Sequence, residues 1–494
     1  MLLSILSVAT AGLSGLAAIL VLRAITAKSK QPKPSGLSLD TTQFDGNRKI
    51  VTNLQEAIRI ETVSRKPGDI NYSEILKFHA FLQKVFPKVH SSPLVTREVI
   101  ASYSLLYTVE GSNPSLKPYI LAAHIDVVPV DGQDWDVPPF EGREQDGCIY
   151  GRGTIDDKHS LMGILEALES RLERQEKPVR SIYLCFGHDE EVTGLDGAAN
   201  IGKTLQERGV QAEFLLDEGY TILQDVIKHV HRPVGLIGVS EKGHATLRLS
   251  VDTAETGHSS MPPKETNVGI LAKAVSKLET TPFPSMFGSG VEYDNFVYLA
   301  SEVEYPIKLV FANLWLFKKI VERIMQQKES TRAILHTSTA ITVFRGGVKV
   351  NVLPPSASAI VNHRIHPSQT IQQVLERDRR LINDDRIKME ILQSREATIT
   401  SPYDEQCFAY QSIGQSIQQV FPDAIVAPAI LLANTDTVHY TSITDKLYRF
   451  CPTFNLPEDV PRFHGVNERI RISNYEQVVK FYYILMHHAD REQL

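Results

Sequence analysis

Five short segments of this chain put histidines and carboxylates where an α/β protein would otherwise keep packing side chains. They are AAHIDVVP around His124, GRGTIDDK around Asp156, FGHDEE with Glu190 and its neighbour Glu191, LLDEG around Asp217, and RFHGVNE around His464. Three of them follow apolar runs that read as buried strands: 119–123, 182–186 and 214–216. Polar groups ending core strands are badly placed for packing. They are well placed to meet in the crevice at the carboxyl ends of an α/β sheet. Two imidazoles and several carboxylates in one crevice make a divalent metal site, and the number of donors suits two ions.

The rest of the chain supports that fold class. Strand 119–123 is followed by a helix over 159–173 with Leu161, Ile164, Leu165, Leu168 and Leu172 on one face, then strand 182–186, helix 196–208 and strand 213–216. The alternation predicts an α/β fold, a mostly parallel sheet with helices on both faces. From about residue 240 the pattern changes. Strand 244–251, helix 268–278, strands 338–344 and 358–363, helix 371–382 and strand 387–392 follow in the order βαββαβ, a ferredoxin-like module. It lies between two stretches that both carry candidate ligands, so it reads as an inserted lid. The expected domains are 46–239 and 399–494 as two parts of a catalytic domain and 240–398 as the inserted one. Residues 286–335 are an extra segment, with Ile307, Val310, Phe311, Leu314, Phe317, Val321 and Ile324 at helical spacing. That stripe fits an apolar wall for an alkyl chain, a core of its own, or a face resting on a membrane.

A chain of 494 residues is long enough for two such domains, and its net charge of −6 gives no electrostatic reason to propose nucleic acid as a partner. The cysteines Cys148, Cys185, Cys407 and Cys451 are far apart and form no metal-binding or disulfide framework. Residues 2–22 carry no charge before Arg23, so 1–25 reads as a signal peptide or signal anchor and 26–45 as a linker. Secretion is expected, or else a membrane anchor with the catalytic domain outside or in the lumen. Asn71-Tyr72-Ser73 is a glycosylation acceptor sequence compatible with either.

Taken singly, each motif leaves choices open. In an extended segment His124 and Asp126 share a face, so Asp126 can fix the tautomer of a metal-binding His124. Either Asp156 or Asp157 can be the ligand of the glycine-rich turn, and either can cap the following helix. Glu190 and Glu191 point to opposite sides, so one can bind metal while the other faces the substrate water. Asp217 ends its strand, and Glu218 beside it is the alternative.

In this order the segments resemble a dinuclear zinc amidohydrolase and exopeptidase family. The family includes aminoacylase, acetylornithine deacetylase, succinyl-diaminopimelate desuccinylase and bacterial carboxypeptidase G. The resemblance covers nearly the whole chain after residue 45. It implies two Zn²⁺ per chain, held by His124, Glu191, Asp217 and His464, with Asp156 bridging, and Glu190 as general base. In the lid, Gly257-His258-Ser259-Ser260-Met261-Pro262 matches a family motif whose histidine reaches the substrate carbonyl oxygen, often in the neighbouring subunit. Asn351 and Arg364 match substrate-binding positions. One departure stands out: Val438, in Thr435-Asp436-Thr437-Val438, replaces an arginine of the family pattern.

The N-terminal segment, the long insert and Asn434-Thr435-Asp436 resemble the branch that holds carboxypeptidase S and the amidohydrolases of N-fatty-acyl amino acids. The resemblance therefore implies cleavage of N-acyl amino acids, with a fatty acyl group as the refined expectation, and their formation in reverse. The implied partners are the N-acyl amino acid, a fatty acid and a free amino acid. A homodimer through the lid and contact with membrane or lipoprotein surfaces are also implied. A zinc carboxypeptidase or dipeptidase acting on short peptides is the alternative.

Overall fold

The computed structural model describes residues 2–227, 230–253, 256–288 and 290–492. Two sheets dominate it. Numbering only their strands, the first sheet is built from β1 (Val95–Ile100), β2 (Ser104–Val109), β3 (Tyr119–His124), β4 (Ile182–Gly187), β5 (Leu215–Leu223) and β6 (Val234–Glu241). The second takes β7 (Gly243–Val251), β8 (Ser338–Gly346), β9 (Ala357–Ile365) and β10 (Lys388–Arg395). The chain then returns to the first sheet with β11 (Ile425–Leu431) and β12 (Leu447–Asn455).

The first sheet has the order β11-β6-β12-β5-β3-β4-β2-β1. The pairs β12–β5, β5–β3, β3–β4 and β6–β11 are parallel. Its central strands are buried on both faces, which is why they read as unbroken apolar runs. Alternate side chains divide between two cores. Tyr119, Leu121 and Ala123 of β3 join Leu161, Leu165 and Tyr482 on one face, whereas Ile120 and Ala122 meet Ala198, Ile201 and Leu205 on the other. The helices Lys158–Glu173 and Ala198–Glu207 supply those faces close to the expected bounds. One feature of this sheet has no counterpart in chain order. β5 and β6 touch only at Leu223↔Val234 and Ile222↔Gly235, and beyond that point β12 lies between them.

The second sheet, order β8-β9-β7-β10, is antiparallel throughout and carries the helices Asn267–Thr280 and Ile371–Ile382. This is the expected βαββαβ module. Leu247, Leu249, Val361, Leu271 and Val374 form its core on one face. The other face, with Asn362, Arg364 and Arg248, carries no helix of the module.

The insert is helical and contributes to two cores. The stripe 307–324 is two helices, Ile307–Phe311 and Leu314–Met325, flanked by Val291–Leu299 and Glu329–Leu335. Val291, Tyr298, Leu299 and Val303 belong to the core of the first sheet, and Phe311 packs against it. Leu314, Val321 and Leu335 make a small core of their own. Trp315 is 54% exposed, outside both cores.

The segment read as signal peptide or anchor is a helix, Leu2–Ile25. The side chains of its first residues, up to 10, lie outside the described residues. Among the described residues no helix is long and apolar enough to cross a membrane. All four cysteines are buried and free.

Candidate metal centre

The site forms where β3 and β4 end beside the first residues of β5. His124 closes β3, pairs with Gly187 at the end of β4, and is 1% exposed. Its Nδ1 donates to the carbonyl of Asp126 at 2.9 Å, with the Asp126 carboxylate 3.5 Å away. Two acceptors at Nδ1 place the proton there and leave the Nε2 lone pair for a cation. The expected tautomer control by Asp126 is thus made mainly through its backbone. Its carboxylate has a further use: the Glu190 and Glu191 N–H groups donate to it at 3.1 and 3.3 Å, which sets the turn carrying both glutamates.

Asp156 stands between the two histidines. One carboxylate oxygen is 3.0 Å from His124 Nε2 and the other 3.0 Å from His464 Nε2. Glu191 lies 3.3 Å from His464 Nε2, and Glu218 lies 3.9 Å from His124 Nε2. Two donor triads result, His124/Asp156/Glu218 and Asp156/Glu191/His464, each with its atoms within 4.8 Å and both sharing Asp156. Of the two candidates in the glycine-rich turn, Asp156 is the one in the cluster; Asp157 belongs to a wholly buried grouping with His159 and Cys451.

Asp217, the expected ligand, is 3% exposed and lies beside His124 together with its neighbour Glu218. Neighbours in a strand face opposite sides, and near the start of β5 the Glu218 carboxylate comes within 3.9 Å of His124 Nε2. One oxygen of Asp217 accepts the Glu218 N–H at 2.9 Å, the other is buried without a hydrogen-bond partner among the described residues, and His124, Cys185, Asp436 and Tyr440 are all near enough to interact with its charge. Burial pushes its carboxyl up to about 6.

The electrostatics call for a cation. Burial raises the carboxyls of Glu190, Glu191 and Glu218, and neighbouring carboxylates raise them further. Hydrogen bonds to Asp156 and Glu191 hold the His464 imidazole up at about 10. Such a set of oxygen and imidazole donors fits a pair of divalent ions. His464 itself has φ +55°, a left-handed backbone that a β-carbon disfavours. What fixes it was missed in the sequence. Buried Glu468 accepts from Arg152 at 2.7 Å and from the Gly153 and Ile155 N–H groups at 2.9 Å each, and Arg152 also donates to the His464 carbonyl at 3.2 Å. This buried ion pair joins the Asp156 turn to the His464 loop. The only signal for it was that both residues fall inside the quoted motifs.

The lid residues are divided. His258 pairs with Val352 in a small two-stranded ribbon, and Asn351 Nδ2 donates to His258 Nε2 at 3.5 Å. Both belong to the end of the lid beyond Ala357. Arg364 is at the opposite end of β9, about 24 Å further at 3.4 Å per residue, where its guanidinium donates to Asn434 at 2.8 Å. None of the hydrogen bonds of His258 or Asn351 reaches the carboxylate cluster. Near Val438 the guanidinium present is that of Arg449, fully buried and spent on Glu241 at 2.8 Å and Thr437 at 2.8 Å.

The model of the peptidase family M20/M25/M40 matches residues 120–488, which include every residue of both triads. The chain belongs to that family. An N-fatty-acyl-amino acid synthase/hydrolase of Bos taurus is 46% identical over 455 residues, covering 92% of this chain and 90% of the relative. A probable carboxypeptidase S-like protein of Dictyostelium discoideum is 41% identical over 491 residues, covering 97% and 93%. Among solved structures, an M20 family metallo-carboxypeptidase from Sulfolobus solfataricus superposes with a TM-score of 0.64 at 18% identity, over 89% of this chain and 99% of that one. This M20 chain is therefore a metal-dependent hydrolase with the two-sheet architecture of its family.

Proposed function

We propose that this M20 chain is a two-zinc amidohydrolase that cleaves N-acyl amino acids, with a fatty acyl group preferred, and forms them when fatty acid and amino acid are abundant. The observation that carries the reading is the position of Asp156, with one carboxylate oxygen toward each histidine. The 46% identity to a relative named for fatty-acyl-amino acid chemistry supports the substrate class.

His124, Asp156 and Glu218 would hold one ion, and Asp156, Glu191 and His464 the other. Bound there, the ions supply Lewis acidity to the amide carbonyl and acidity to a water. Glu190, whose carboxyl burial raises, is held by the Asp126 anchor beside the cluster; it takes the proton of the attacking water and returns it to the leaving amine nitrogen. His258 and Asn351 sit at the far end of the lid, so they serve the site of a second copy, with the imidazole donating to the developing oxyanion. This requires a homodimer through the lid. The apolar N-terminal helix favours a secreted or membrane-anchored enzyme in contact with lipid surfaces.

The test is a panel of long-chain acyl-amino acids, acetyl-amino acids and dipeptides given to purified, zinc-loaded protein. Long-chain acyl-amino acids are expected to be cleaved with the highest kcat/KM. A preference for dipeptides would move the assignment to a carboxypeptidase or dipeptidase.

A further inference from the structure

The register of the lid sheet assembles a row of cations that neither the family motifs nor the metal centre uses. His244 on β7 pairs with Arg364 on β9 and, on its other side, with Arg395 on β10. Residues paired directly across strands point to the same face, so the order across the sheet is guanidinium, imidazole, guanidinium. The backbones of the two arginines are about 10 Å apart, two strand spacings. Both side chains are long enough to converge over His244.

Polar side chains elsewhere on this face have partners. Arg248 donates to Glu390 at 2.8 Å, and Asn362 to Thr246 at 2.9 Å. Among the described residues the only ion pair of the His244 row is the long one from Arg395 to Glu241. Across from it the nearest carboxylate is Glu241, which Arg449 already engages at 2.8 Å and whose other oxygen is 3.9 Å from Arg395. The Nε and one terminal nitrogen of Arg395 and the Nδ1 of His244 are buried without a hydrogen-bond partner among the described residues. Unmatched donors of this kind cost free energy unless an acceptor arrives. The row lies at the root of the lid beside the metal centre. Arg364 touches Asn434 of the catalytic part, and Arg395 is near enough for the Glu190 charge to act on it. Burial and the two guanidinium charges push the imidazole of His244 down to about 4, so the charges on the row are those of the arginines.

We propose that Arg395 and His244 complete, with Arg364, the site that grips the free carboxylate of the amino-acid half of the substrate. This rests on the amidohydrolase reading above and adds to it two specificity-determining residues. Arg449, which donates to Thr437 beside Val438, is committed to Glu241, whereas the charge of Arg395 reaches His439 on the other side of Val438. A planar guanidinium on each side gives a carboxylate two parallel donors from either flank. Asn434, which accepts from Arg364 and donates to the Lys242 carbonyl at 3.0 Å, is a positioning residue that sets the Arg364 fork against the hinge.

The experiment compares N-oleoyl-phenylalanine with N-oleoyl-phenylalaninamide, which has the same scissile bond without the negative charge. It uses metal-loaded wild type and Arg395→Met, with thermal unfolding and metal content as controls. The wild type is expected to favour the acid strongly. Arg395→Met should raise KM for the acid about 10- to 100-fold, leave kcat within a few-fold and leave the carboxamide unaffected, so that the acid preference collapses. Arg395→Lys should keep part of it, and His244→Leu should lose less than Arg395→Met. If Arg395→Met does not keep its fold, Arg395→Gln carries the same comparison. A variant that keeps the full acid preference overturns the proposal while leaving the enzyme's function standing, and so does a wild type that cleaves both compounds equally. A wild type that cleaves neither overturns the functional reading and this inference with it.

Discussion

Replacing Glu468 by alanine should damage both the fold and the metal centre, although Glu468 touches no proposed ligand side chain. Its side chain is 0% exposed, and it neutralises Arg152, itself 1% exposed. Removing it leaves a buried guanidinium without its counterion, a loss of about 3–5 kcal/mol. The Gly153 and Ile155 N–H groups also lose their acceptor, at about 1 kcal/mol or more each. Gln133 and the His464 carbonyl still accept from Arg152, which offsets part of the sum. A net destabilisation of about 3–5 kcal/mol is expected. Because the pair ties the Asp156 turn to the His464 loop, metal affinity should fall about 10- to 100-fold. Denaturant titration reads the first effect, and chelator competition monitored by metal content reads the second. The double variant Arg152→Met/Glu468→Leu should recover much of the stability but not the metal affinity, since packing is restored while the loops stay untied. If Glu468→Ala keeps its denaturation midpoint and its metal affinity, the two-loop brace is refuted.

Other outcomes follow from the same geometry. Glu190→Gln should keep fold and metal content while kcat falls about 10²–10⁴-fold; near-normal turnover would require another base. Glu218→Gln should cut metal occupancy in elemental analysis, whereas Asp217→Asn should leave it near normal, and the reverse result would return the ligand role to Asp217. The elevated His464 pKa of about 10 gives a pH dependence. The proton on that imidazole stabilises the metal-free protein fully below the ordinary histidine range, and that contribution is lost as pH rises through 10. Metal must displace the same proton, so apparent affinity should strengthen by about tenfold per pH unit between pH 7 and 9; a flat profile in chelator competition would contradict it. Mixing His258→Ala with Glu190→Gln chains should restore part of the activity in verified mixed dimers, and no recovery would place His258 outside the partner's site.

Much of the fold was legible because buried parallel strands read as apolar runs. The end of such a run is a definite place, so His124, Glu190 and Glu191 announced themselves. The choice between Asp217 and Glu218 was not legible, because alternation assigns faces only while an apolar neighbour marks the phase, and here two acids stand side by side near the start of β5. Helical spacing found the insert but not which core it serves: Phe311 packs on the first sheet and Leu314 on a local cluster, and both recur at the same period. Pairings across long separations were invisible as well. Arg152 and Glu468 are 316 residues apart, and Arg364 meets Arg395 only through the register of a strand between them.

The wedged position of β12 has a consequence for how the chain is made. β5 and β6 leave the ribosome as neighbours, yet the strand that belongs between them begins at residue 447, after β6 ends at 241. The interval is 447 − 241 = 206 residues, about 10–40 s of synthesis at 5–20 residues per second. Throughout that time the unsatisfied backbone of β5 is open to any passing strand. A nascent chain of this protein is therefore expected to depend on chaperones until the last tenth of its length, which holds β12, emerges. A truncation before β12 leaves β5 with an open edge, so the expected product is an aggregation-prone fragment rather than a weaker enzyme.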